Sequence, residues 1–343
     1  MLRHSNDSIP GITRQKAKIG YAYFDSAGER VTDREEIERL NAVGLPPAYE
    51  NAWFCPWPNG HIQATGIDAK GRKQYRYHAD FRTKADATKY EGTLDFGTRL
   101  PRLRRRVAAD LRKRSLSRDT VLAAVVRLLD TAYIRIGNSQ YAKANKSFGA
   151  TTLRNKHIKK EGRRLKMRFT GKHGIVHDLT ITDRTLGRVV TRCQDLPGQS
   201  LFQYLGNDGE PHGITSADVN DYIREAMGCD FTAKHFRTWG ASAIAFEQLL
   251  AHTPGERITV QTVVEPVAAA LGNTPAMSRK SYVHPAILEA VKTDARNPLE
   301  NMPPWRKRPG LSEAESALLA FLKPRPKRSR RVAANDAAVV QAA

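Results

Sequence analysis

Four separated segments of the chain hold side chains that could act on a phosphate. They are YIRIGN (Tyr133 to Asn138), TGK (Thr170 to Lys172), KHFRTWG (Lys234 to Gly240), and LGNTP with the following SRKSY (Leu271 to Tyr282). Arginine and lysine bind phosphate oxygens, and a tyrosine hydroxyl can serve as a nucleophile when positive neighbours favour its ionised form. Taken singly, each segment is ambiguous, because such an arginine is more often ion-paired on a helix and such a tyrosine more often packs against a core.

The charge distribution points to a polyanionic partner. Between Arg154 and Lys172 the chain carries nine basic residues and one acid, Glu161, a net charge of +8. Folding crowds these charges together, and phosphates are the groups that most readily neutralise them. The whole chain has the same bias, since 56 basic and 35 acidic residues give a formal charge of +21.

Length and composition predict a folded protein of about two domains. The chain has 343 residues, 40% of them hydrophobic, and a typical domain has roughly 150.

No apolar run reaches the ~18 residues of a membrane span, and the polar start MLRHSNDSIPG lacks the apolar core of a signal peptide. Cys55, Cys193 and Cys229 form no C-x-x-C pair, and His173 and His177 are interpreted as surface histidines. We therefore expect a cytoplasmic, nucleoid-associated protein with no membrane association and no metal site.

The predicted fold class is α+β. A small β-rich domain is expected over residues 1–90, a larger and mostly helical domain over 91–322, and a basic, disordered tail over 323–343. The β-rich prediction comes from short extended segments between Tyr21 and Arg82, which proline and glycine interrupt. Residues 83–93 are polar and charged, and we interpret them as a linker.

One strand of the small domain carries aromatic residues next to basic ones. The segment GIDAKGRKQYRYH (Gly66 to His78) predicts a turn around Lys70 followed by an extended run. Alternation along that run places Tyr75 and Tyr77 on the same face of the strand. Two interpretations remain open: the tyrosines belong to a surface that touches sugar and phosphate, or they pack on the core of the small domain.

The larger domain is predicted to be helical around one β-hairpin. Residues 102–114 suit an amphipathic helix with a strongly basic face, and Ser117 suits the cap of a second helix that ends near Gly137. The alternating segment 165–183 predicts a hairpin with Lys172 at its tip. Further helix boundaries are predicted by caps at Ser216 and Thr232 and by an end at Gly272.

Taken together and in this order, the segments resemble the type IB DNA topoisomerases, particularly their bacterial and poxvirus branch. The resemblance begins at KGRKQYRY (Lys70 to Tyr77), continues through YIRIGNSQYAKANKSFGATTLRNKHI (Tyr133 to Ile158) and ends at NTPAMSRKSYVHP (Asn273 to Pro285). It covers nearly the whole chain before about Leu322. It implies two domains that form a C-shaped clamp around duplex DNA.

The resemblance also implies a reaction. A tyrosine attacks a DNA phosphodiester, forms a 3′-phosphotyrosyl link and frees a 5′-hydroxyl, and rejoining follows rotation of the strand. Tyr282 matches the nucleophile, Arg135 and Arg237 match two arginines that clamp the non-bridging oxygens, and Lys172 matches a lysine that protonates the leaving oxygen. Asn273 departs from the pattern, because many members carry histidine there. Asparagine can donate the same hydrogen bond but cannot carry a charge.

The expected partner is double-stranded DNA, bound by a monomer. Neither a metal ion nor a nucleotide is expected, because two arginines and a lysine neutralise the phosphate and the tyrosyl ester conserves the energy of the broken bond. The residues expected to contact DNA are Lys70, Arg72, Tyr75, Tyr77, Tyr141, Lys143 and Lys234.

Two other classes of protein share some of these features. A tyrosine recombinase or integrase uses the same chemistry in a related fold, but it typically keeps a histidine three residues before the second arginine, where this chain has Lys234. A non-enzymatic, basic DNA-binding protein would explain the charge. It would not explain the ordered set of arginine, lysine, arginine and tyrosine.

Overall fold

The computed structural model of the chain describes residues 1–69, 71–161 and 164–323, apart from the side chains of residues 84–89 and Tyr141. Lys70, a predicted DNA contact, and residues 324–343 of the predicted tail lie outside the described residues. The chain divides into two compact units, Met1–Glu91 and a second unit from Gly92 onward. In the part of the chain that the structure describes, no helix has both the length and the apolar character needed to cross a membrane.

The first unit is a five-stranded antiparallel sheet with a helix packed into the same core. Its elements are β1 (Ile12–Lys16), β2 (Tyr21–Phe24), α1 (Arg34–Ala42), β3 (Glu50–Phe54), β4 (Ile62–Ile67) and β5 (Lys73–Tyr77). The strand order is β2-β1-β3-β4-β5. The sequence does not predict α1, because its segment REEIERLNA is mostly charged and Leu40 is its one buried residue. No apolar stripe therefore marks this helix.

The segment 83–93, interpreted as a linker, contains the boundary between the two units, at Glu91 and Gly92. It is helical, however, because a long helix, α2 (Ala79–Arg112), runs through it. Polar and charged residues suggested a linker, but the same residues also suit a helix with a solvated face. The basic amphipathic helix predicted further along forms the later part of α2. Leu103, Val107 and Leu111 are its buried hydrophobic residues.

The second unit contains most of the helices. Its helices after α2 are α3 (Arg118–Ala132), α4 (Ser139–Asn145), α5 (Arg184–Gln194), α6 (Ser216–Met227), α7 (Ala233–Leu250), α8 (Val260–Leu271), α9 (Pro275–Ser281), α10 (Pro285–Thr293) and α11 (Glu313–Leu322). Its strands are β6 (Ile158–Glu161), β7 (Arg164–Thr170), β8 (Val176–Ile181), β9 (Gln203–Leu205) and β10 (Pro211–Gly213). Strands β6, β7 and β8 form an antiparallel sheet, and β9 pairs with β10. A β-rich unit followed by a helical one confirms the predicted α+β class.

Helices α3 and α7 form the centre of the second unit. Helix α3 is buried along most of its length and packs against α5, α6 and α7. Helix α7 is also largely buried and contacts α8, α10 and α11. Close packing on all sides holds such helices firmly, so side chains and turns attached to them are well positioned.

Helix α3 ends earlier than predicted. It begins after Ser117 as expected but ends at Ala132, not near Gly137. The helix ends because Tyr133 adopts the left-handed conformation, with φ 50° and ψ 24°. Residues 134–138 are outside any helix or strand.

The other predicted boundaries need one small correction. Helix α6 is capped by Thr215 and not by Ser216, since Thr215 Oγ1 accepts a hydrogen bond from the Asp218 amide at 3.2 Å. The cap at Thr232, the helix end at Gly272 and the hairpin over 165–183 are confirmed. The structure adds β6 to that hairpin as a third strand.

Candidate active site

The predicted catalytic residues come from separate elements of the second unit, and most of them meet around Arg237. Arg237 lies in the second turn of α7. Arg135 follows α3 in the irregular segment, Asn273 lies between α8 and α9, and Tyr282 comes directly after α9. The fold thus joins residues that are up to 147 positions apart in the sequence.

The guanidinium of Arg237 is held by backbone carbonyls. The side chain is 4% exposed. Its Nη1 donates to the carbonyl of Tyr133, and its Nη2 donates to the carbonyl of Leu271 at 3.1 Å. Its Nε–H is buried and has no hydrogen-bond partner among the described residues. Because an unpaired buried donor is costly, this N–H is available to an acceptor that enters the site.

Both arginines approach the same tyrosine. Arg135 Nη2 lies 3.4 Å from the hydroxyl oxygen of Tyr282. The Arg237 guanidinium carbon lies 4.9 Å from the centre of the Tyr282 ring. Tyr282 itself is half-buried. Two cations therefore flank one phenol, which is an arrangement in which tyrosine can act as a nucleophile.

The two arginines have no acidic partner among the described residues, in contrast to Arg104, a half-buried arginine of α2. Arg104 forms ion pairs with Asp130 at 2.8 Å and with Glu315 at 2.7 Å. Burial, and secondly repulsion from Arg135, lower the pKa of Arg237, although a guanidinium keeps its charge in proteins. Buried charges are normally paired, so this uncompensated pair of cations predicts a bound anion.

Asn273 contacts Arg237 directly. In the amide orientation that matches donors with acceptors, Asn273 Oδ1 accepts a hydrogen bond from Arg237 Nη2 at 3.0 Å. Its Nδ2 then donates to the carbonyl of Gly272 at 3.2 Å. Gly272 ends α8 in the left-handed conformation, with φ 60°, and glycine adopts this conformation without a steric penalty. Asn273 therefore helps to hold the arginine.

A second tyrosine, Tyr133, also borders Arg237. Burial, with the nearby carboxylates of Asp130 and Glu315 adding to it, raises the pKa of Tyr133 to about 12. Its hydroxyl is thus a poor nucleophile at neutral pH. Its left-handed backbone costs a non-glycine residue roughly 1–2 kcal/mol, and a cost of that size is often found next to functional sites.

Lys172 lies at the tip of the β7–β8 hairpin and is exposed. Among the contacts of the described residues, none joins Lys172 to Arg135, Arg237 or Tyr282. The hairpin nevertheless reaches the site close to its tip, at the second residue of β8. His177 on β8 faces Gly272, where an added methyl group would lie 3.1 Å from His177 Cε1.

His177 is a site neighbour that the sequence analysis missed. The sequence predicts a surface histidine, but His177 is half-buried and its ring stacks on Phe169, with ring centres 4.9 Å apart. Burial, followed by repulsion from Arg237 and Arg135, lowers the pKa of His177. A neutral imidazole therefore borders the two cations. The alternating pattern predicts the hairpin that carries His177, but only the packing of the end of α8 against this strand reveals the neighbour.

The first unit presents an aromatic surface on β5. Tyr75 and Tyr77 are 41% and 38% exposed, and their rings stack with centres 6.0 Å apart. Phe81 extends the stack, with its ring centre 5.4 Å from that of Tyr77. Exposure favours the surface interpretation over the core one. Arg72, a predicted DNA contact, forms an ion pair with Asp68 at 2.7 Å.

The second unit has a basic cavity beside α4. Lys143 is exposed and borders a cavity of about 690 Å³, with Phe148 among its walls. The other basic residues that line it are Lys146, Arg154, Lys156 and Arg168. Lys234 is exposed in the first turn of α7, and the side chain of Tyr141 lies outside the described residues. Lysines and arginines around a concavity provide favourable contacts for phosphates.

No group of three or more histidine, cysteine, aspartate or glutamate residues that could hold a metal ion occurs within the described ranges. The three cysteines are all free thiols, with Cys55 and Cys193 buried. Burial raises the pKa of Cys193 to about 12. None of the three therefore forms a disulfide.

Comparison with known families gives two matches along the chain. Residues 78–302 match the family described as eukaryotic DNA topoisomerase I, catalytic core. Residues 20–68 match the family described as bacterial DNA topoisomerase IB, N-terminal domain. The first match includes Arg135, Lys172, Arg237, Asn273 and Tyr282.

Individual relatives agree with these families. A DNA topoisomerase 1B of Acanthamoeba polyphaga mimivirus is 35% identical over 295 residues, covering 82% of this chain and 87% of the relative. A DNA topoisomerase 1B of Vaccinia virus (strain Copenhagen) is 24% identical over 274 residues, covering 76% of this chain and 83% of the relative. The solved structure of the XerH site-specific recombinase bound to difH substrate aligns with a TM-score of 0.34 at 15% identity, over 57% of this chain and 52% of that one.

Proposed function

The chain belongs to the type IB DNA topoisomerase family, and on that premise we propose that it relaxes supercoiled DNA through transient cleavage of one strand by Tyr282. The observation that carries this proposal is the convergence of Arg135 and Arg237, without acidic partners among the described residues, on the Tyr282 hydroxyl and ring. A phosphodiester supplies the negative charge that these arginines lack. It also supplies the phosphorus that the phenol oxygen attacks.

The two arginines stabilise the charge that develops on the phosphate. As the Tyr282 oxygen bonds to phosphorus, negative charge grows on the non-bridging oxygens. The unpaired Nε–H of Arg237 and the Nη groups of Arg135 are the donors assigned to those oxygens. Because both side chains are positioned before DNA binds, little reorganisation is needed when the charge develops.

Lys172 is the proposed general acid. The bond between phosphorus and the 5′-oxygen breaks as the phosphotyrosyl bond forms, and the departing oxygen takes a proton from the lysine. Packing of His177 against Gly272 supports a location of the hairpin beside the phosphate. Rejoining reverses each step: the 5′-hydroxyl returns its proton, attacks phosphorus and releases Tyr282. The exchange of one phosphodiester for another needs no nucleotide.

DNA contacts outside the reaction centre are proposed for both units. The exposed stack of Tyr75 and Tyr77 offers aromatic faces and hydroxyls to the sugar-phosphate backbone. Lys143 and Lys234 offer charge in the second unit. We assign the enzyme to a monomer in the cytoplasm, because one chain supplies both arginines and the tyrosine, and because its three thiols are free.

The test is relaxation of a supercoiled plasmid in EDTA without added nucleotide. We expect a ladder of partly and fully relaxed topoisomers, since the proposed site uses only its own side chains. Addition of a denaturing detergent during the reaction should trap protein on nicked DNA. A protein that binds the plasmid but neither relaxes nor nicks it in EDTA would contradict the proposed function.

Replacing Asn273 with alanine should slow cleavage only modestly. The variant loses the hydrogen bond to Arg237, but the Tyr133 and Leu271 carbonyls still hold that guanidinium. The loss of one hydrogen bond to a charged group predicts a fall of roughly tenfold in the single-turnover cleavage rate. The measurement is the rate of covalent complex formation on a labelled duplex under excess enzyme.

The matched comparison is Asn273→His, which places the residue common in the family at this position. It should retain more activity than Asn273→Ala, because an unprotonated imidazole nitrogen can also accept the hydrogen bond from Arg237. Asn273→Ala should also lose less single-turnover cleavage activity than Tyr282→Phe. Equal losses in these two variants would contradict the prediction.

A further inference from the structure

One residue outside the proposed catalytic set joins the two arginines. The carbonyl of Tyr133 accepts the hydrogen bond from Arg237 Nη1. Arg135 follows Tyr133 by only two residues in the chain. Both guanidiniums are therefore attached to one short segment, Arg135 covalently and Arg237 through this carbonyl.

The backbone of that segment depends on an unusual residue conformation. Left-handed helix ends are most often glycine, yet Tyr133 adopts this conformation at the end of α3 with φ 50°. A bulky residue there needs compensating contacts. The direction of the Tyr133 carbonyl, and with it the anchor of Arg237, depends on those contacts.

The ring of Tyr133 provides such a contact on α7. A methyl group at Gly240 would come within 2.1 Å of Tyr133 Cε1, so the ring lies directly on this glycine. Gly240 follows Arg237 by three residues, which places the two on the same side of α7. Tyr133 thus touches α7 twice, through its carbonyl at Arg237 and through its ring one turn later.

We propose that Tyr133 is a positioning residue for DNA cleavage: its ring, seated on Gly240, holds the left-handed turn whose carbonyl fixes Arg237 relative to Arg135. The inference rests on the proposed function, because it assumes that the two arginines act together on one phosphate. It concerns the ring and the backbone of Tyr133, and assigns no part in the reaction to its hydroxyl.

The first test compares Tyr133→Ala with Tyr133→Phe in single-turnover cleavage. Alanine removes the ring that holds the turn, and a shift of Arg237 by about an ångström predicts a loss of roughly tenfold to hundredfold in rate. Phenylalanine keeps the ring and should restore the rate. Affinity for the uncleaved duplex should stay within about twofold in both variants, since the proposed effect lies in the transition state.

A double-mutant cycle separates positioning from general destabilisation. If Tyr133 acts through Arg237, Tyr133→Ala should slow the wild type but should slow Arg237→Ala much less, because the arginine to be positioned is already absent. A structural defect alone would lower both rates by the same factor. Equal factors would overturn the proposal, as would a Tyr133→Ala variant that cleaves at the wild-type rate.

Gly240→Ala tests the same contact from the other side, and it serves if Tyr133→Ala does not fold. The added methyl group must displace the ring, so we expect a slower cleavage rate with retained DNA affinity.

Tyr222→Ala is the matched control: it removes a buried tyrosine that bonds to Asp110 at 2.7 Å, and it should lower the melting temperature without slowing cleavage by the folded protein. A Gly240→Ala variant with the wild-type cleavage rate would contradict the proposal. Failure of the wild type to form any covalent complex would instead contradict the proposed function.

Discussion

Replacing Tyr282 with phenylalanine is expected to abolish covalent attachment to DNA while leaving DNA binding intact. The variant loses one oxygen atom, the one that lies 3.4 Å from Arg135 Nη2, and keeps the ring that packs beside Arg237. Without a nucleophile, the cleavage rate should fall by roughly 10⁴-fold or more. Plasmid relaxation and detergent-trapped covalent complex are the two measurements, and both should disappear.

Tyr204→Phe is the matched control for this prediction. Tyr204 lies on β9, where its ring stacks on His212 with centres 5.5 Å apart, and it has no part in the proposed site. Its variant should relax plasmid as the wild type does. If Tyr282→Phe still formed a covalent complex, the nucleophile would be another residue, and digestion of the complex would identify it.

The types of the candidate site residues and their order along the chain are distinctive enough for the resemblance to identify them as a set. Arg135, Arg237 and Tyr282 are close together in the structure, as the resemblance implied. The way in which Arg237 is held could not be predicted. Its carbonyl partner at Tyr133 lies 104 residues earlier, and no local pattern connects the two positions. The left-handed turn that directs this carbonyl also occurs at a tyrosine, where sequence rules expect glycine.

Two other differences have the same origin in tertiary packing. Alternation along β8 predicted a strand around His177, but could not tell that α8 ends against that face. Composition suggested a linker over residues 83–93, whereas the structure continues α2 through them. A polar segment becomes helix or linker according to what it packs against, and its own sequence does not contain that information.

Arg237→Ala is the second variant with a large expected effect. It removes a buried guanidinium that two backbone carbonyls hold in place. No other side chain of the site, among the described residues, is both buried and held in this way. Loss of one such electrostatic contact with a developing charge typically lowers a rate by about 10²–10³-fold, and we expect a fall of that size in single-turnover cleavage. Duplex affinity should change far less, because many surface lysines and arginines contribute to it.

Arg237→Lys separates charge from geometry in this prediction. Lysine restores the positive charge, but a single ammonium cannot donate to the Tyr133 carbonyl, the Leu271 carbonyl and a phosphate oxygen at once with the planar geometry of a guanidinium. We therefore expect it to recover only a small part of the rate lost in Arg237→Ala. Full recovery by lysine would mean that charge alone matters at this position, and the carbonyl anchors would then have no part in catalysis. Partial recovery would mean that the site depends on the fixed orientation of its donors, which is the property that burial of Arg237 beneath two backbone carbonyls provides.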